Sequence, residues 1–398
     1  MTDYELQLKA GARWRALSLL LLIGVLWVGV SHSAQETNAP AKQRRWGDYY
    51  LRQKPEWYAS AEACRVADNV LLYQSQHGAW PKNTDLLAPV TPAALKVVQA
   101  GGKADTIDNG ATTLPMTFLA RVAQATGDAK YRGAVTRGID YLLAAQYPNG
   151  GWPQFYPLRE GYYSHITYND GAMIHALTLL RDVAVGRSPF EFVDAKRRAK
   201  AADAVTRGID CILRTQIKQD GKLTAWCAQH DEKTLAPAWA RNYEIPSLSG
   251  AESVGIVRFL MEIEPPTPEI IAAVEGAVAW LKAVTITGLR YERGTQADGK
   301  KDGWVTPDPT AGPLWARFYE LGSNRPIFTG RDKTVHSALS EIERERRAGY
   351  DFYGNWAERL LARDHPRWLA KHKLSSANKQ SGDAAPAGVS SDQSPKAK

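Results

Sequence analysis

The chain has 398 residues, 44% of them hydrophobic and 23% charged, and a formal net charge of +8. This composition excludes a disordered, a collagen-like or a polytopic membrane protein and allows a sizeable hydrophobic core. The charge favours an anionic partner such as nucleic acid, a membrane or an acidic polysaccharide. Because no groove-reading motif is present, we expect no nucleic-acid partner. The 13 Trp and 17 Tyr, against 8 Phe, are typical of partly wet, concave binding sites.

The N-terminus has the layout of a secretory signal peptide. Lys9, Arg13 and Arg15 precede an apolar run over 16–30, and small and polar residues follow it. We therefore expect a signal peptide over 1–33 and a periplasmic or secreted protein that is not held at a membrane after cleavage. An uncleaved anchor is the alternative, although this run is shorter than the roughly 20 residues that span a bilayer.

Three cysteines, Cys64, Cys211 and Cys227, are too few and too dispersed for a disulfide-built fold or a thiolate metal site. A Cys211–Cys227 bridge is one interpretation of the second pair. Two small buried apolar side chains are the other. The core is therefore expected to depend on hydrophobic packing.

The chain then opens with a polar linker over 34–54 and a helix over Trp57–Tyr73, where the apolar spacing is that of an amphipathic helix. Its middle part repeats itself. The segment AVTRGID occurs at 134–140 and again at 204–210, each time near the end of an amphipathic helix and before a Gln and a Gly-containing turn. This repeat indicates a fold built from copies of one helical unit.

A second set of helices alternates with these repeats. Its members share a polar start and an apolar helix: TIDNGATTLPMTFLARVA at 106–123, TYNDGAMIHALTLLRDVA at 167–184 and PSLSGAESVGIVRFLMEI at 246–263. The middle helix is apolar on most faces, which indicates burial on all sides. We predict a mainly α fold over 55–370, an incomplete (α/α) helical toroid of outer/inner helix pairs with a cleft at one end. A further pair is expected at 269–284 and 335–347, and a disordered tail over 371–398.

Polar residues collect in the loops that lead into the inner helices. Asp108, Asn109 and Asp170 stand just before predicted helices, as Ser249 does with Glu252, so capping of backbone N–H groups is one interpretation of each. Capping does not require acidic residues on successive repeats together with arginines in loops of the same end. Carboxylate and amide oxygens suit a hard cation such as Ca²⁺, and arginine forks suit carboxylates.

Five motifs in these loops resemble those of a known family. They are NGGWPQFYP at 149–157, ITYNDGAM at 166–173, ARNYEIPSLSG at 240–250, RPIFTGRDK at 325–333 and GYDFYGNW at 349–356. In this order, over about residues 55–365, the chain resembles the family 10 polysaccharide lyases, which are pectate lyases of helical toroid type. The resemblance implies a calcium-dependent, endo-acting pectate lyase that cleaves polygalacturonate by β-elimination. We expect it to act as a monomer.

The same resemblance implies roles for individual residues. Asp108 and Asn109 match the first acidic motif and Asp170 the second, so these three are the expected Ca²⁺ ligands, with Asp108 and Asn109 also contacting substrate. Arg241 matches the arginine that serves as base. Arg317 and Arg331 match the substrate-binding arginines, and Lys333 joins them as a substrate-binding cation.

An arginine base needs a lowered pKa, because a free guanidinium has a pKa of about 12.5 or higher. We expect burial and neighbouring cations to lower the pKa of Arg241 and to give an alkaline optimum. Tyr243, Lys333 and His165 are the alternative bases.

Two other functions stay open at this point. An inverting glycosidase would use two carboxylates, such as Asp170 and Glu244. A secreted pectin-binding module would use Trp152, Trp226 and Trp239 as stacking platforms. A Ser-His-Asp hydrolase is not supported, because the GxSxG motif is absent.

Overall fold

The computed structural model describes residues 49–99 and 105–373, which belong to one compact unit, Arg45–Lys398. The predicted signal peptide, most of the predicted linker and all but the start of the predicted tail lie outside the described residues. Within the described ranges, no helix combines the length and the apolar character needed to cross a membrane.

Helices form most of the regular structure in the described part of the chain. They are α1 Ala61–Leu72, α2 Pro92–Gln99, α3 Thr113–Thr126, α4 Ala129–Ala145, α5 Ala172–Ala184, α6 Ala195–Thr215, α7 Glu252–Met261, α8 Pro268–Ala283, α9 Arg344–Gly349 and α10 His365–Lys371. Short 3₁₀ turns occur at Pro55–Ala59, Asp108–Gly110, Tyr162–Ser164, Asn169–Gly171 and Leu339–Glu341, and a π turn at Leu360–Asp364. The prediction of a helical fold is confirmed.

The long helices pack as consecutive pairs, α3 with α4, α5 with α6 and α7 with α8. The first members of the pairs contact one another in the order α3, α5, α7, and the second members in the order α4, α6, α8. Helix α5 has buried residues on most of its faces, whereas α6 exposes Lys196 and Lys200. The buried helix α5 and the amphipathic helix α6 thus differ in the way that the sequence predicts.

The prediction of a helix pair at 269–284 and 335–347 is half right. Helix α8 takes the first position, but the second contains a strand, a 3₁₀ turn and only the start of α9. The apolar Val335 is half-exposed, and its backbone pairs with Thr329 instead of continuing a helix. The local pattern of this segment is therefore overridden by a strand pairing.

Short antiparallel strands connect the loops between the helices. They are β1 Ile166–Thr167, β2 Lys218–Gln219, β3 Lys222–Leu223, β4 Gln229–His230, β5 Leu248–Ser249, β6 Leu289–Thr295, β7 Lys301–Pro307, β8 Trp315–Ala316, β9 Phe318–Tyr319, β10 Phe328–Thr329, β11 Val335–His336 and β12 Tyr353–Gly354. The pairs are β1 with β4, β2 with β3, β5 with β9, β6 with β7, β8 with β12 and β10 with β11. All are antiparallel.

A glutamine after each of the helices α1, α4 and α6 joins that helix to α4, α6 and α8, respectively. The side-chain amide of this glutamine donates to a carbonyl of its own turn and to a carbonyl of the helix that it joins: Gln74 to Ala134, Gln146 to Ala204 and Gln216 to Ala273. The buried amides thus find partners in both neighbours. The repeated sequence encodes a repeated joint between helix pairs.

The arginine of each AVTRGID repeat completes this joint. Arg137 donates to the Gln74 Oε1 and Arg207 to the Gln146 Oε1. At the joint of Gln216 with α8, Gly276 stands at the position that Arg137 and Arg207 take in the other two joints. Within the described residues, the buried Gln216 Oε1 accordingly has no hydrogen-bond partner. The third joint is therefore the weakest of the three, because a buried acceptor without a partner costs free energy.

A buried tryptophan follows each of the helices α1, α4, α6 and α8 and donates a hydrogen bond to the end of that helix. The indole N–H groups donate at 2.8–2.9 Å to helix carbonyls: Trp80 to Val70, Trp152 to Leu142, Trp226 to Ile212 and Trp315 to Leu281. These indoles are fully buried, whereas Trp239 is half-exposed. Trp152 and Trp226 are scaffold residues, so their predicted use as sugar-stacking platforms is wrong.

The remaining core follows from hydrophobic packing. Cys211 and Cys227 are both free and buried, so the bridge is wrong and the interpretation as small apolar side chains is confirmed. Tyr50, at the end of the predicted linker, is also buried and packs its ring against Trp57 and Phe118.

Candidate functional site

Two turns that lead into α3 and α5 have the same uncommon backbone. Asn109 has φ 52° and ψ 25°, and Asp170 has φ 51° and ψ 26°. A glycine with positive φ follows each of them, Gly110 at 68° and Gly171 at 71°. Asn and Asp tolerate this left-handed region better than other side chains, and glycine adopts it without strain. The DNG and NDG sequences therefore adopt the same left-handed turn.

The acidic side chains of these turns do not cap helices, so the capping interpretation is wrong for them. Asp108 is buried and its Oδ2 accepts from the Lys82 Nζ at 2.6 Å and the Gln154 Nε2 at 2.7 Å. Asn109 and Asp170, one position later in each turn, are exposed. The two turns contact each other, so Asn109 and Asp170 lie at neighbouring places on the surface.

Arg317 links the second turn to helix α7. Its Nη2 donates to the Asp170 Oδ1 at 2.9 Å and also to the Glu252 Oε1. The second Glu252 oxygen accepts from the Ser249 hydroxyl, which itself accepts from the Glu252 N–H. Ser249 therefore keeps the helix-start role predicted for it. The structure thus brings Arg317 and Asp170 into direct contact.

Arg241 lies in a tight turn with Glu244. The guanidinium donates twice to that carboxylate, from Nε at 2.9 Å and from Nη2 at 2.6 Å. These hydrogen bonds raise the pKa of Arg241 above its ordinary value. The expectation of a lowered pKa for Arg241 is thus wrong for the protein without substrate, because a bidentate carboxylate outweighs burial.

The arginines of the site pack around the rings of Tyr243 and Tyr350. The guanidinium carbons of Arg346, Arg331 and Arg241 lie 3.8, 4.9 and 5.0 Å from the ring centre of Tyr243. Arg317, Arg346 and Arg241 lie 4.7, 4.9 and 5.9 Å from that of Tyr350. The Tyr350 hydroxyl also donates to the Glu244 Oε1 at 3.3 Å. Asp170, Arg317, Arg241 and Arg331 therefore belong to one connected network.

Arg346 is the member of this network that sequence reasoning missed. It is 4% exposed, and its Nε and Nη2 have no hydrogen-bond partner among the described residues. Burial, together with the charge of Arg241, lowers the pKa of Arg346. A buried guanidinium without such partners is costly, which makes this arginine a candidate for a functional role. In the sequence it lies in RERR at 344–347, which reads as a solvated charged helix.

Lys333 and His165 are not part of this network. Lys333 is exposed, with φ 66°. The His165 Nδ1 bonds to the Glu232 Oε2 at 2.9 Å. Ligand atoms of His165, Asp231 and Glu232 lie within 4.8 Å of one another, a cluster that shares no residue with the predicted calcium set.

Comparison with known proteins decides the family of the chain. Residues 74–361 match the family model described as pectic acid lyase. The chain belongs to the pectic acid lyase family. The resemblance on which the sequence analysis relied is confirmed, and the protein is a pectate lyase.

Two solved structures are similar to this lyase, both of family 10 polysaccharide lyase from Cellvibrio cellulosa. One is 38% identical, covers 80% of this chain and 94% of its own, and has a TM-score of 0.68. The other, a mutant in complex with trigalacturonic acid, is 37% identical, covers 80% and 95%, and has a TM-score of 0.68. Among curated proteins, none matches.

The site of the lyase offers ligands suited to calcium. Asn109 and Asp170 present hard oxygen atoms at the surface, where the Asp170 Oδ2 accepts from the Asn169 amide at 2.9 Å. Calcium prefers six to eight oxygens, so water and ligand carboxylates would supply the rest. The residues present therefore fit the ion. Asp108, whose Oδ2 is occupied by Lys82 and Gln154, stays a predicted ligand.

The geometry also weighs against a glycosidase. Burial acts to raise the pKa of Glu244, but the hydrogen bonds and charge of Arg241 hold the pKa of that carboxyl below its ordinary value. A general acid needs a raised pKa. Glu244 is therefore unsuited to protonate a leaving group, in agreement with the family of the lyase.

Proposed function

We propose that this lyase cleaves polygalacturonate by calcium-dependent β-elimination and releases 4,5-unsaturated oligogalacturonates. The observation that carries the proposal is the network of Asp170, Arg317, Arg241 and Arg331 around two tyrosine rings. Planar guanidinium groups match uronate carboxylates bidentately. The net charge of +8 and the trigalacturonic acid bound to a relative support an acidic polysaccharide of this sugar.

The proposed calcium ligands are the exposed Asn109 and Asp170 and the buried Asp108. Calcium bound there would offset the negative charge that grows on the substrate carboxylate as the C5 proton leaves. Arg317 and Arg331 bind substrate carboxylates, and Lys333 adds an exposed cation beside Arg331. Arg346 contributes positive charge next to the Tyr243 ring, but it is too buried to contact the polymer directly.

Arg241 is the proposed base that accepts the C5 proton. Its side chain is 44% exposed, so it can face a polymer. Its bond to Glu244 has to open, or be outweighed by nearby cations, before the neutral guanidine becomes populated. Arg346 disfavours a second positive charge at the same ring. The neutral fraction also rises with pH, which is why we expect an alkaline optimum.

The experiment that tests the function is an assay of the purified lyase on polygalacturonate with calcium and with a chelator. We expect ultraviolet-absorbing unsaturated ends that form only with calcium. Saturated reducing ends would instead indicate a hydrolase, and binding without any new ends a non-catalytic protein.

The base assignment is tested with Arg241→Ala and Arg241→Lys. We expect turnover to fall by about 10²- to 10⁴-fold in the first and nearly as much in the second, while oligogalacturonate affinity changes far less. Near wild-type turnover of Arg241→Lys, with loss of turnover in Tyr243→Phe or Lys333→Ala, would show that the base is another residue.

We also propose that the helix pairs close into an incomplete (α/α) toroid, and that the lyase is exported to the periplasm or the medium and acts as a monomer. The contacts of α3, α5 and α7, and of α4, α6 and α8, support the toroid. Sequencing the N-terminus of the exported protein and measuring its mass in solution test the other two statements.

A further inference from the structure

Arg317 is shared between two carboxylates of different exposure. Its Nη2 donates to the Asp170 Oδ1 at 2.9 Å and to the Glu252 Oε1. The Glu252 side chain is 2% exposed and that of Arg317 is 11% exposed, whereas that of Asp170 is 41% exposed. One of the two ion pairs is therefore enclosed in protein and the other faces water.

Glu252 is itself held in place by the Ser249 hydroxyl. Its Oε2 accepts from the Ser249 hydroxyl, and its backbone N–H donates to the same Ser249 oxygen at 3.1 Å. It stands at the first residue of α7, where the helix dipole stabilises a negative charge. The Arg317 guanidinium packs 4.7 Å above the Tyr350 ring. These contacts allow Arg317 to stay in place without Asp170.

Asp170 has two competing uses. In the proposed function it binds calcium, but in the structure its Oδ1 is bonded to Arg317. A divalent cation next to a guanidinium is repelled, and the repulsion grows where water is excluded. A second carboxylate on the same guanidinium nitrogen, that of Glu252, reduces this repulsion and gives the arginine another partner.

We propose that Glu252 is a positioning residue that retains Arg317 and balances its charge, so that Asp170 can exchange its bond to Arg317 for calcium. This inference rests on the proposed function and deepens it. Without the Glu252 charge, Asp170 is the one carboxylate among the described residues that pairs with Arg317. Arg317 then competes with calcium for Asp170, and its unbalanced positive charge repels the ion. Arg317 thereby becomes free to bind a substrate carboxylate only when calcium has arrived.

The experiment measures binding of calcium alone to the full-length protein by isothermal titration calorimetry. We expect Glu252→Gln, which keeps the shape and most hydrogen bonds of the side chain, to weaken calcium binding by tenfold or more. Ser249→Ala, which releases Glu252 without removing its charge, should weaken it by a smaller factor. The matched control is Glu262→Gln, which breaks the Arg181–Glu262 pair at the other end of α7 and should bind calcium as the wild type does.

A double variant separates the proposed route from a general loss of structure. In an Arg317→Gln background there is no guanidinium to retain, so adding Glu252→Gln should change calcium affinity less than twofold. Equal losses with and without Arg317 would overturn the inference, as would wild-type calcium affinity in Glu252→Gln. Thermal melts of all variants identify any that is unfolded, and the Ser249→Ala result then decides.

Failure of the proposed function gives a different result. If the wild-type protein forms no calcium-dependent unsaturated product, the function itself is wrong. If it forms that product and Glu252→Gln binds calcium normally, only the role of Glu252 is wrong.

Discussion

The turns Asp108–Gly110 and Asn169–Gly171 share one backbone but hold their carboxylates at different positions. In the first turn the carboxylate is at the first residue, where Asp108 is buried against Lys82. In the second it is at the second residue, where Asp170 is exposed and reaches Arg317. The same local structure therefore places one carboxylate in the scaffold and the other at the surface.

The segments that pair with the residues just before each turn explain this difference. Thr106 faces Phe155 and Thr167 faces Gln229, so the two turns rest on equivalent segments. Behind the first turn Gln154 donates its side-chain amide to Asp108. At the corresponding place behind the second turn, Ala228 accepts backbone N–H groups and has no amide to offer. The two copies thus share one backbone but differ in the side chains that surround the turn.

The largest expected effect is that of Asp170→Asn. It removes the exposed carboxylate, so we expect activity on polygalacturonate to fall by roughly 10²- to 10³-fold and to recover in part with excess calcium. Initial rates across a calcium series measure this. Asp210→Asn, on the exposed face of α6, is the matched control. Full activity of Asp170→Asn in chelator would contradict a calcium role for this turn.

The next effect concerns pH and only the second turn. Behind that turn lies His230, where burial lowers the pKa to about 4; the first turn has Tyr156 in the equivalent position. Because His230 takes up a proton more readily unfolded than folded, stability is unaffected above pH ~6.5 and falls by about 3 kcal/mol as the pH drops towards 4. Urea unfolding at several pH values, in wild type and His230→Asn, measures it. An unchanged slope in the variant would assign the pH dependence to other groups.

Asp108→Asn should act mainly on stability. It leaves the Lys82 ammonium without its carboxylate, so we expect the free energy of unfolding to fall by about 1–3 kcal/mol. The activity per folded molecule should fall much less than in Asp170→Asn. A second change, Lys82→Gln, should restore part of the stability, because no unpaired charge is then left. Thermal melts beside rate measurements test this division, and it is wrong if Asp108→Asn loses as much activity as Asp170→Asn at unchanged stability.

The smallest effect is expected from Asn109→Asp, which makes the exposed positions of both turns acidic. Added negative charge in an oxygen site strengthens calcium binding, and we expect a gain of about tenfold or less. Calorimetric titration with calcium measures the gain. Replacement of Asn169 by Asp, at the equivalent of the buried position, serves as the comparison and should change affinity less. Weaker binding in Asn109→Asp would place this residue outside the calcium site.

Much of the scaffold could be predicted because its signals are local. The apolar faces of α3 and α5 and the AVTRGID copies indicate paired helices, since helix periodicity and repetition are properties of short segments. The strand pairing of Val335 with Thr329 has no such signal. It depends on a partner chosen by the rest of the fold.

The chemistry of the site divides in the same way. Arg241, Arg317 and Arg331 could be named from motifs, and the structure connects them around Tyr243 and Tyr350. The raised pKa of Arg241 could not be predicted. The sequence does not show that the Nε and Nη2 of this guanidinium both donate to the Glu244 carboxylate. Arg346 was missed because the sequence RERR does not show which of its arginines is buried.

The sequence by itself determined the helical repeats and the residue types of an anion site, since each can be read from a few consecutive residues. Only the tertiary structure decided that Asp108 is buried against Lys82, that Asp170 is exposed, and that Glu252 pairs with Arg317. Burial and ion pairing depend on atoms brought together from distant segments, and these set the charge, the pKa and the exposure on which the chemistry depends.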